Sequence, residues 1–208
     1  MDYDLYNKPE NWIAGFYELS IEYHPFGNDK RVNEALAALE ESRYFSGFWE
    51  EKTNFQKHSI SLPITIEEAS VKSFYGTISI LNSTEEELPC LVTIIRVNGE
   101  SDWLDISIPQ AAFEKFFPCQ YPLTTELNPW LKKINEVYAR LAETIYRKSP
   151  FDFAMIGEEI SGETNQEEIT LGVMQNKPYM TCILPSPLSD RLGLQGKGTA
   201  LSNQLRIF

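Results

Sequence analysis

The stretch that decides the fold is residues 74–108, FYGTISILNSTEEELPCLVTIIRVNGESDWLDISI. It contains three runs rich in β-branched and aromatic residues, at Phe74–Leu81, Leu88–Val97 and Trp103–Ile108. The acidic segment Asn82–Glu87 joins the first two runs, and Asn98-Gly99, a strong signal for a tight hairpin, precedes the third. The stretch therefore predicts a meander of three antiparallel strands. The second run is apolar on both faces, so it is predicted to be the central strand.

Upstream of this stretch, residues 12–24 alternate between apolar and polar side chains. A period of two predicts a strand with one face in the core and the other in water. The residues expected on the wet face are Glu18, Ser20, Glu22 and His24. After a break at Pro25–Gly27, Asn28 or Asp29 can cap a helix that ends near Ser42, because apolar residues recur there at helical spacing.

Two segments between that helix and the meander have distinct patterns. Tyr44–Trp49 is an aromatic-rich bend around Gly47, and Ser59–Ile66 alternates with Pro63 on its outward face. Since proline cannot donate to the hydrogen bonds of a sheet, Ser59–Ile66 is predicted to be an edge strand. Such an edge could pair with a second copy of the chain, so a homo-oligomer is one expectation.

The C-terminal half predicts a long helix followed by further strands. Asn128 as cap and Pro129 in the first turn begin a helix whose apolar stripe ends near Lys148. The later segments are a strand at Phe151–Ile156, an acidic loop at Gly157–Glu168, and strands at Ile169–Met174 and Tyr179–Leu184.

Together these elements predict an α+β fold. We expect a mainly antiparallel sheet with a central three-strand meander and two principal helices packed on it. The lack of repeats and long linkers predicts a single domain over residues 1–184. Residues 185–208 form a tail with Gly193, Gly196 and Gly198, which either docks on the body or is mobile.

The composition argues against several classes of partner. The 208-residue chain has 30 acidic and 18 basic residues and a net charge of -12, which repels nucleic acid and anionic membranes. Its longest apolar run, Leu88–Ile95, is far shorter than the ~20 residues of a membrane helix. The acidic first ten residues do not look like a secretory signal, and Cys90, Cys119 and Cys182 form no Cys-x-x-Cys pair. We therefore expect a cytoplasmic protein with free thiols.

The sequence has no motif for catalysis, metal or cofactor. It lacks Gly-x-Ser-x-Gly, His-Glu-x-x-His and a calcium-binding loop, and the tail has Arg191 where a phosphate loop needs glycine. We predict no catalytic residue, no metal and no cofactor. The alternative is an enzyme or small-ligand binder with a site assembled from separated residues, such as Cys119 with either His24 or His58.

Two groups of residues are candidates for a binding surface. In the acidic loop, Gly157 and Gly162 bracket a shaped turn, and no Lys or Arg occurs between Lys148 and Lys177. Aromatic residues serve as interface anchors, although they also fill cores, and acidic loops are also simply solvated. The candidate residues are Glu158, Glu159 and Glu163 in the loop and Tyr44, Phe48 and Trp49 in the bend.

In its general layout, a short acidic α+β chain without catalytic motifs, the protein resembles immunity-type proteins of bacterial toxin systems. The resemblance rests on that layout and involves no diagnostic motif. It implies a non-enzymatic, cytoplasmic, immunity- or adaptor-like protein that binds a basic protein partner. Charge would speed the encounter of the two proteins, and aromatic side chains would hold the complex.

Overall fold

The computed structural model describes residues 8–52, 59–80 and 87–208. Its strands are β1 (Phe16–Tyr23), β2 (Phe45–Trp49), β3 (Ser70–Ser79), β4 (Glu87–Arg96), β5 (Asp102–Pro109), β6 (Phe153–Glu158), β7 (Thr181–Pro185), β8 (Thr199–Ala200) and β9 (Leu205–Ile207). Its helices are α1 (Asp29–Glu40), α2 (Gln110–Phe113), α3 (Leu131–Lys148), α4 (Leu171–Asn176) and α5 (Ser186–Arg191). Within the described residues, all nine strands form one antiparallel sheet in the order β2-β3-β4-β5-β1-β6-β7-β9-β8. The predicted α+β class is confirmed.

The predicted meander is confirmed as β3-β4-β5, with β4 in the middle. The β4–β5 hairpin turns at Asn98-Gly99, where Gly99 has a φ of +83°, a backbone conformation that glycine adopts readily. The acidic segment predicted to join the first two strands falls mostly within residues 81–86, which lie outside the described residues.

The two principal helices, α1 and α3, pack with the apolar face of β1 in the larger core. Asn28 caps α1 as predicted, since its side chain accepts a hydrogen bond from the Arg31 N–H at 3.2 Å. Asn128, however, does not cap the long helix, which begins three residues later. Its side chain instead accepts from the Gln120 N–H at 2.8 Å and donates to the Gln120 carbonyl at 2.7 Å, so it ties down the preceding loop.

The prediction of a wet face on β1 is wrong. Glu18, Ser20 and Glu22 are 8%, 0% and 1% exposed. The chain that follows β6 folds over this second face of the sheet, where side chains from β6 and β7 pack against Ile160 and Ile169 in a smaller apolar cluster. Over β5, β1, β6 and β7, both faces of the sheet are therefore covered.

Three local predictions are also corrected. The aromatic bend at 44–49 contains a strand, β2, at one edge of the sheet. Ser59–Ile66 is not an edge strand: Ser59 forms one isolated bridge to Trp49, and the Asn33 side chain of α1 binds the backbone of Ile64. The predicted strand at 169–174 is mostly helix, because the Thr170 side chain caps α4 by accepting from the Val173 N–H.

The C-terminal tail extends the sheet. Strand β9 pairs with β7, and β8 pairs with β9. The last residue, Phe208, exchanges two backbone hydrogen bonds with Cys182 of β7. Residues 199–200 and 205–207 of the tail are therefore part of the sheet.

A buried ion pair joins the meander to the start of α1. Arg96, 3% exposed, donates two hydrogen bonds of 2.8 Å to the fully buried carboxylate of Asp102. The same guanidinium donates to Asp29 at 2.6 Å and to the Ile66 carbonyl at 2.8 Å. The second oxygen of Asp102 also accepts from the Gly27 N–H at 2.9 Å. One cation thus fixes the bend before α1 against the hairpin.

The substitution Arg96→Met is expected to lower the free energy of unfolding by about 3–5 kcal/mol, because it leaves the Asp102 carboxylate buried without its counter-ion. Urea denaturation followed by circular dichroism measures this loss. As a control, Lys148→Met removes an exposed ion pair with Glu41 and is expected to cost less than about 1 kcal/mol. Equal losses in the two variants would contradict the role given to Arg96.

Candidate binding site on the second face of the sheet

The site is built on the pairing of β1 with β5. Alternation along both strands brings polar side chains to the second face, while their neighbours enter the larger core. In the antiparallel register Ser20 lies opposite Asp105, and Glu18 lies opposite Ser107. Two acidic residues from different strands therefore share one buried surface.

The loop after β6 supplies hydrogen bonds to this surface. One oxygen of Glu18 accepts from the N–H groups of Ile160 at 3.1 Å and Ser161 at 3.2 Å, and the other accepts from the Ser107 hydroxyl at 3.1 Å. Asp105 accepts from the hydroxyls of Ser20 at 2.5 Å and Ser161 at 2.7 Å. Because buried carboxylates must be hydrogen-bonded, these contacts hold the loop on the sheet.

Burial alters the acidity of these groups. Burial, and then repulsion from the Asp105 carboxylate, raises the pKa of Glu18 to about 7. Burial also raises the pKa of Asp105 and the pKa of Glu22. The Glu18 carboxyl therefore titrates close to neutral pH.

A cavity of about 390 Å³ opens beside this network, between the β4–β5 hairpin and the loop at 162–168. We call it the acidic cleft. Four carboxylates line it, and none of the described residues that line it is a lysine or an arginine. The four are Glu22, Glu100, Glu167 and Glu168.

Two polar residues that line the cleft, Glu22 and Thr164, are deeply buried. Glu22 accepts from the Ser101 hydroxyl at 2.5 Å and from the Gln166 N–H at 2.6 Å. Thr164 is 4% exposed, and its hydroxyl has no hydrogen-bond partner among the residues that the structure describes. A buried polar group without a partner is costly, so the Thr164 hydroxyl is a group that a ligand could satisfy.

The cleft also holds one short chain of hydrogen bonds. The Ser101 hydroxyl lies between the Glu22 carboxylate and His24 Nδ1, which is 3.2 Å away. With the serine proton donated to Glu22, the Nδ1–H of His24 donates to the serine oxygen. The cleft thus combines negative charge, a hydroxyl and an imidazole.

None of the three acidic residues predicted from the sequence lines the cleft. Glu158 accepts from the Gln110 side chain at 2.6 Å and from the Leu123 N–H at 2.7 Å. Glu159 accepts from the Phe16 N–H at 2.5 Å, and Glu163 forms an ion pair with Lys177. All three therefore have partners within the chain.

The predicted aromatic residues are far from these acids. Phe48 is 1% exposed and packs against Phe45 and Phe74, so it belongs to the core and not to a binding surface. Tyr44 and Trp49 are half-buried. Strand β2 is five positions from β6 in the sheet, which corresponds to about 24 Å at about 4.8 Å per strand. The structure does not bring the two predicted groups together.

The alternation in β1 predicts a wet outward face, so it does not mark Glu22 as a buried residue of a site. One signal was available: polar residues also alternate on β5, at Asp105 and Ser107, so two adjacent strands each carry acids on one face. Such a pair could have indicated a buried polar network rather than a solvated surface.

The nucleophile considered at Cys119 is not supported. Burial and the nearby Glu114 raise the pKa of its thiol, whereas an activated cysteine needs a lowered pKa. His24 lines the acidic cleft, which does not include Cys119, and His58 lies outside the described residues.

Two searches of the described part of the chain concern metals and membranes. Among these residues, no cluster of three or more His, Cys, Asp or Glu side chains is arranged to hold a metal ion. In the same residues, no helix has the length and apolar character needed to cross a bilayer.

The raised pKa of Glu18 predicts how stability depends on pH. The unfolded carboxyl releases its proton near pH 4.5, whereas the folded one keeps it to about pH 7. The folded state therefore binds more protons in this window, and the stability that this group contributes is full below it and is lost as the pH rises through it.

The substitution Glu18→Gln is expected to remove this loss. Between about pH 5 and about pH 8, the variant should gain up to about 3 kcal/mol of unfolding free energy relative to the wild type. Urea denaturation at a series of pH values measures the difference. Glu40→Gln, at an exposed position on α1, should follow the wild-type curve. Parallel curves for wild type and Glu18→Gln would contradict the prediction.

Comparisons with known proteins show little similarity. No family model matches the sequence, and no curated protein matches it. Among solved structures, the chain is similar to a chain of the 1.75 Å crystal structure of the toxic C-terminal tip of CdiA from Pseudomonas aeruginosa in complex with immune protein. The TM-score is 0.38 at 15% identity, with 74% of this chain and 91% of that chain covered. A TM-score this low carries no argument about function.

Proposed function

We propose that this chain is a non-enzymatic binding protein that holds a basic protein partner at the acidic cleft, where a lysine or arginine side chain enters. The observation that carries the proposal is the lining of the cleft: four carboxylates and, among the described lining residues, no lysine or arginine. The cavity volume of about 390 Å³ lies within the range of about 300–1,000 Å³ that is common for ligand pockets.

The cleft offers a cation two kinds of contact. Glu100, Glu167 and Glu168 are exposed at its mouth, whereas Glu22 is held deep inside with the Thr164 hydroxyl. Burial raises the pKa of Glu22, and a cation that reaches its carboxylate acts in the opposite direction, because it favours the charged form.

The mouth and the interior of the cleft should contribute differently to binding. Exposed charges and the net charge of -12 steer a basic partner and act mainly on the association rate. Contacts to buried groups act mainly on the dissociation rate.

A reducing compartment such as the cytoplasm agrees with the three unpaired cysteines. This is the immunity- or adaptor-like role that the layout of the sequence implies.

The cleft variant Glu100→Gln/Glu167→Gln/Glu168→Gln tests the proposal. Wild-type protein is expected to bind a fluorescein-labelled, arginine-rich peptide, with association that slows as salt rises. The cleft variant is expected to bind at least about tenfold more weakly, because it removes the charges that pair with the peptide. Fluorescence anisotropy measures the affinity.

The matched control is Glu40→Gln/Glu68→Gln/Glu126→Gln, which makes the same change in net charge at exposed positions outside the cleft. It should retain the wild-type affinity. The same three proteins can then be used to capture partners from the lysate of the native host. A basic protein retained by the wild type and the control but lost from the cleft variant is the expected partner. Equal peptide binding by both variants would contradict the proposal.

One observation favours the alternative, an enzyme with a site assembled from separated residues. In the Glu22–Ser101–His24 chain the Ser101 hydroxyl donates to the Glu22 carboxylate inside a cavity, so Glu22 could serve as a general base for this serine. An arginine p-nitrophenyl ester tests it. Turnover that Ser101→Ala abolishes would favour the enzyme, whereas peptide binding without turnover favours the binding protein.

A further inference from the structure

A second concave surface lies on α3. It is a groove of about 900 Å³, also lined by the segment before β2 and by the β8–β9 turn, and we call it the basic groove. Its cationic residues are Arg43, Lys133, Arg140 and Arg147, and all four are exposed. They form a concentrated basic surface on a chain whose net charge is -12.

Three of the four cations have no carboxylate partner within the chain as described. Arg43 donates to the Tyr44 hydroxyl at 2.6 Å, and neither Lys133 nor Arg147 forms an ion pair with any described residue. Arg140 differs, because it donates to Glu143 at 2.9 Å. The groove therefore holds unpaired positive charge.

The acids of the groove do not cancel this charge. Burial acts to raise the pKa of Glu143, but hydrogen bonds from Ser202 and Arg140 hold this pKa below its usual value. The Glu143 carboxylate therefore stays charged, and it already has partners within the chain. Glu136 is the other acid, and it is exposed. Three unpaired cations thus face one unoccupied carboxylate.

The spacing of the cations indicates the shape of the ligand. Lys133, Arg140 and Arg147 recur every seven residues along α3, so they form a row about 21 Å long at about 1.5 Å per residue. A single phosphate cannot bridge cations about 10 Å apart. An extended polypeptide of about seven residues spans the whole row.

The remaining lining favours protein over nucleic acid. Ile80, Val137 and Leu201 give the groove apolar contacts, and Tyr44 adds an aromatic ring. The carboxylate of Glu136, inside the groove, repels a continuous row of phosphates. A peptide can place acidic side chains against the cations and apolar ones between them.

We propose that the basic groove is a second binding surface, for an acidic polypeptide segment with interspersed apolar residues. It is separate from the acidic cleft and does not depend on the function proposed there. Tyr44, a candidate binding residue from the sequence, contributes its ring to this surface. The long-range repulsion of two acidic chains is screened beyond about 8 Å at physiological salt, while the pairs in contact persist.

The groove variant Arg43→Gln/Lys133→Gln/Arg147→Gln tests this proposal with a fluorescein-labelled peptide of alternating Glu and Leu. Fluorescence anisotropy should show binding to the wild type and at least about tenfold weaker binding to the variant. The matched control Lys30→Gln/Lys115→Gln/Lys132→Gln makes the same charge change at exposed positions outside the groove and should bind as the wild type does. Thermal unfolding checks that each protein is folded. If the Arg43→Gln change destabilises the fold, the double variant Lys133→Gln/Arg147→Gln replaces the triple groove variant in this test.

Two further arms separate the outcomes. The cleft variant Glu100→Gln/Glu167→Gln/Glu168→Gln should bind the acidic peptide as well as the wild type does, which shows that the two surfaces are independent. A labelled single-stranded RNA should bind more weakly than the peptide. Equal peptide binding by the groove and control variants, or tighter binding of the RNA, would overturn the proposal.

Discussion

The carboxylates on the second face of β1 and β5 are the constraint on which this structure depends. They sit on central strands, where the sheet is covered on both faces, so water cannot solvate them. The loop after β6 supplies the missing hydrogen bonds, through the N–H groups of Ile160, Ser161 and Gln166. The need to satisfy buried acids therefore shapes the loop, and the loop forms one wall of the acidic cleft.

The elements that local signals specify were predictable from the sequence. The Asn98-Gly99 turn and the Asn28 cap depend on neighbouring residues, and both are present in the structure. The burial of Glu18 was not predictable in the same way, because its partners Ile160 and Ser161 follow it by 142 and 143 residues. The cleft depends on such distant contacts, so only its acidic character could be read from the chain.

The acidic residues of the chain include three groups that differ in what they contact. Some, such as Asp102, neutralise a buried cation inside the chain. Others, such as Glu18, are held by N–H and hydroxyl groups and have raised pKa values. A third group, at the mouth of the acidic cleft, has no described basic residue among the lining. A count of negative charge treats these groups alike, whereas the structure leaves the carboxylates at the mouth of the cleft exposed and available to a cation.

The central claim, that a cation binds in the acidic cleft, is tested most directly by nuclear magnetic resonance. Nα-acetyl-arginine amide is titrated into ¹⁵N-labelled protein, and the backbone amide shifts are followed. We predict that the largest changes fall at Gly99–Ser101 and Thr164–Glu168, with Gln166 among them because its N–H binds the Glu22 carboxylate. Changes spread over exposed acids elsewhere, such as Glu40 and Glu126, with none at the cleft, would contradict the claim.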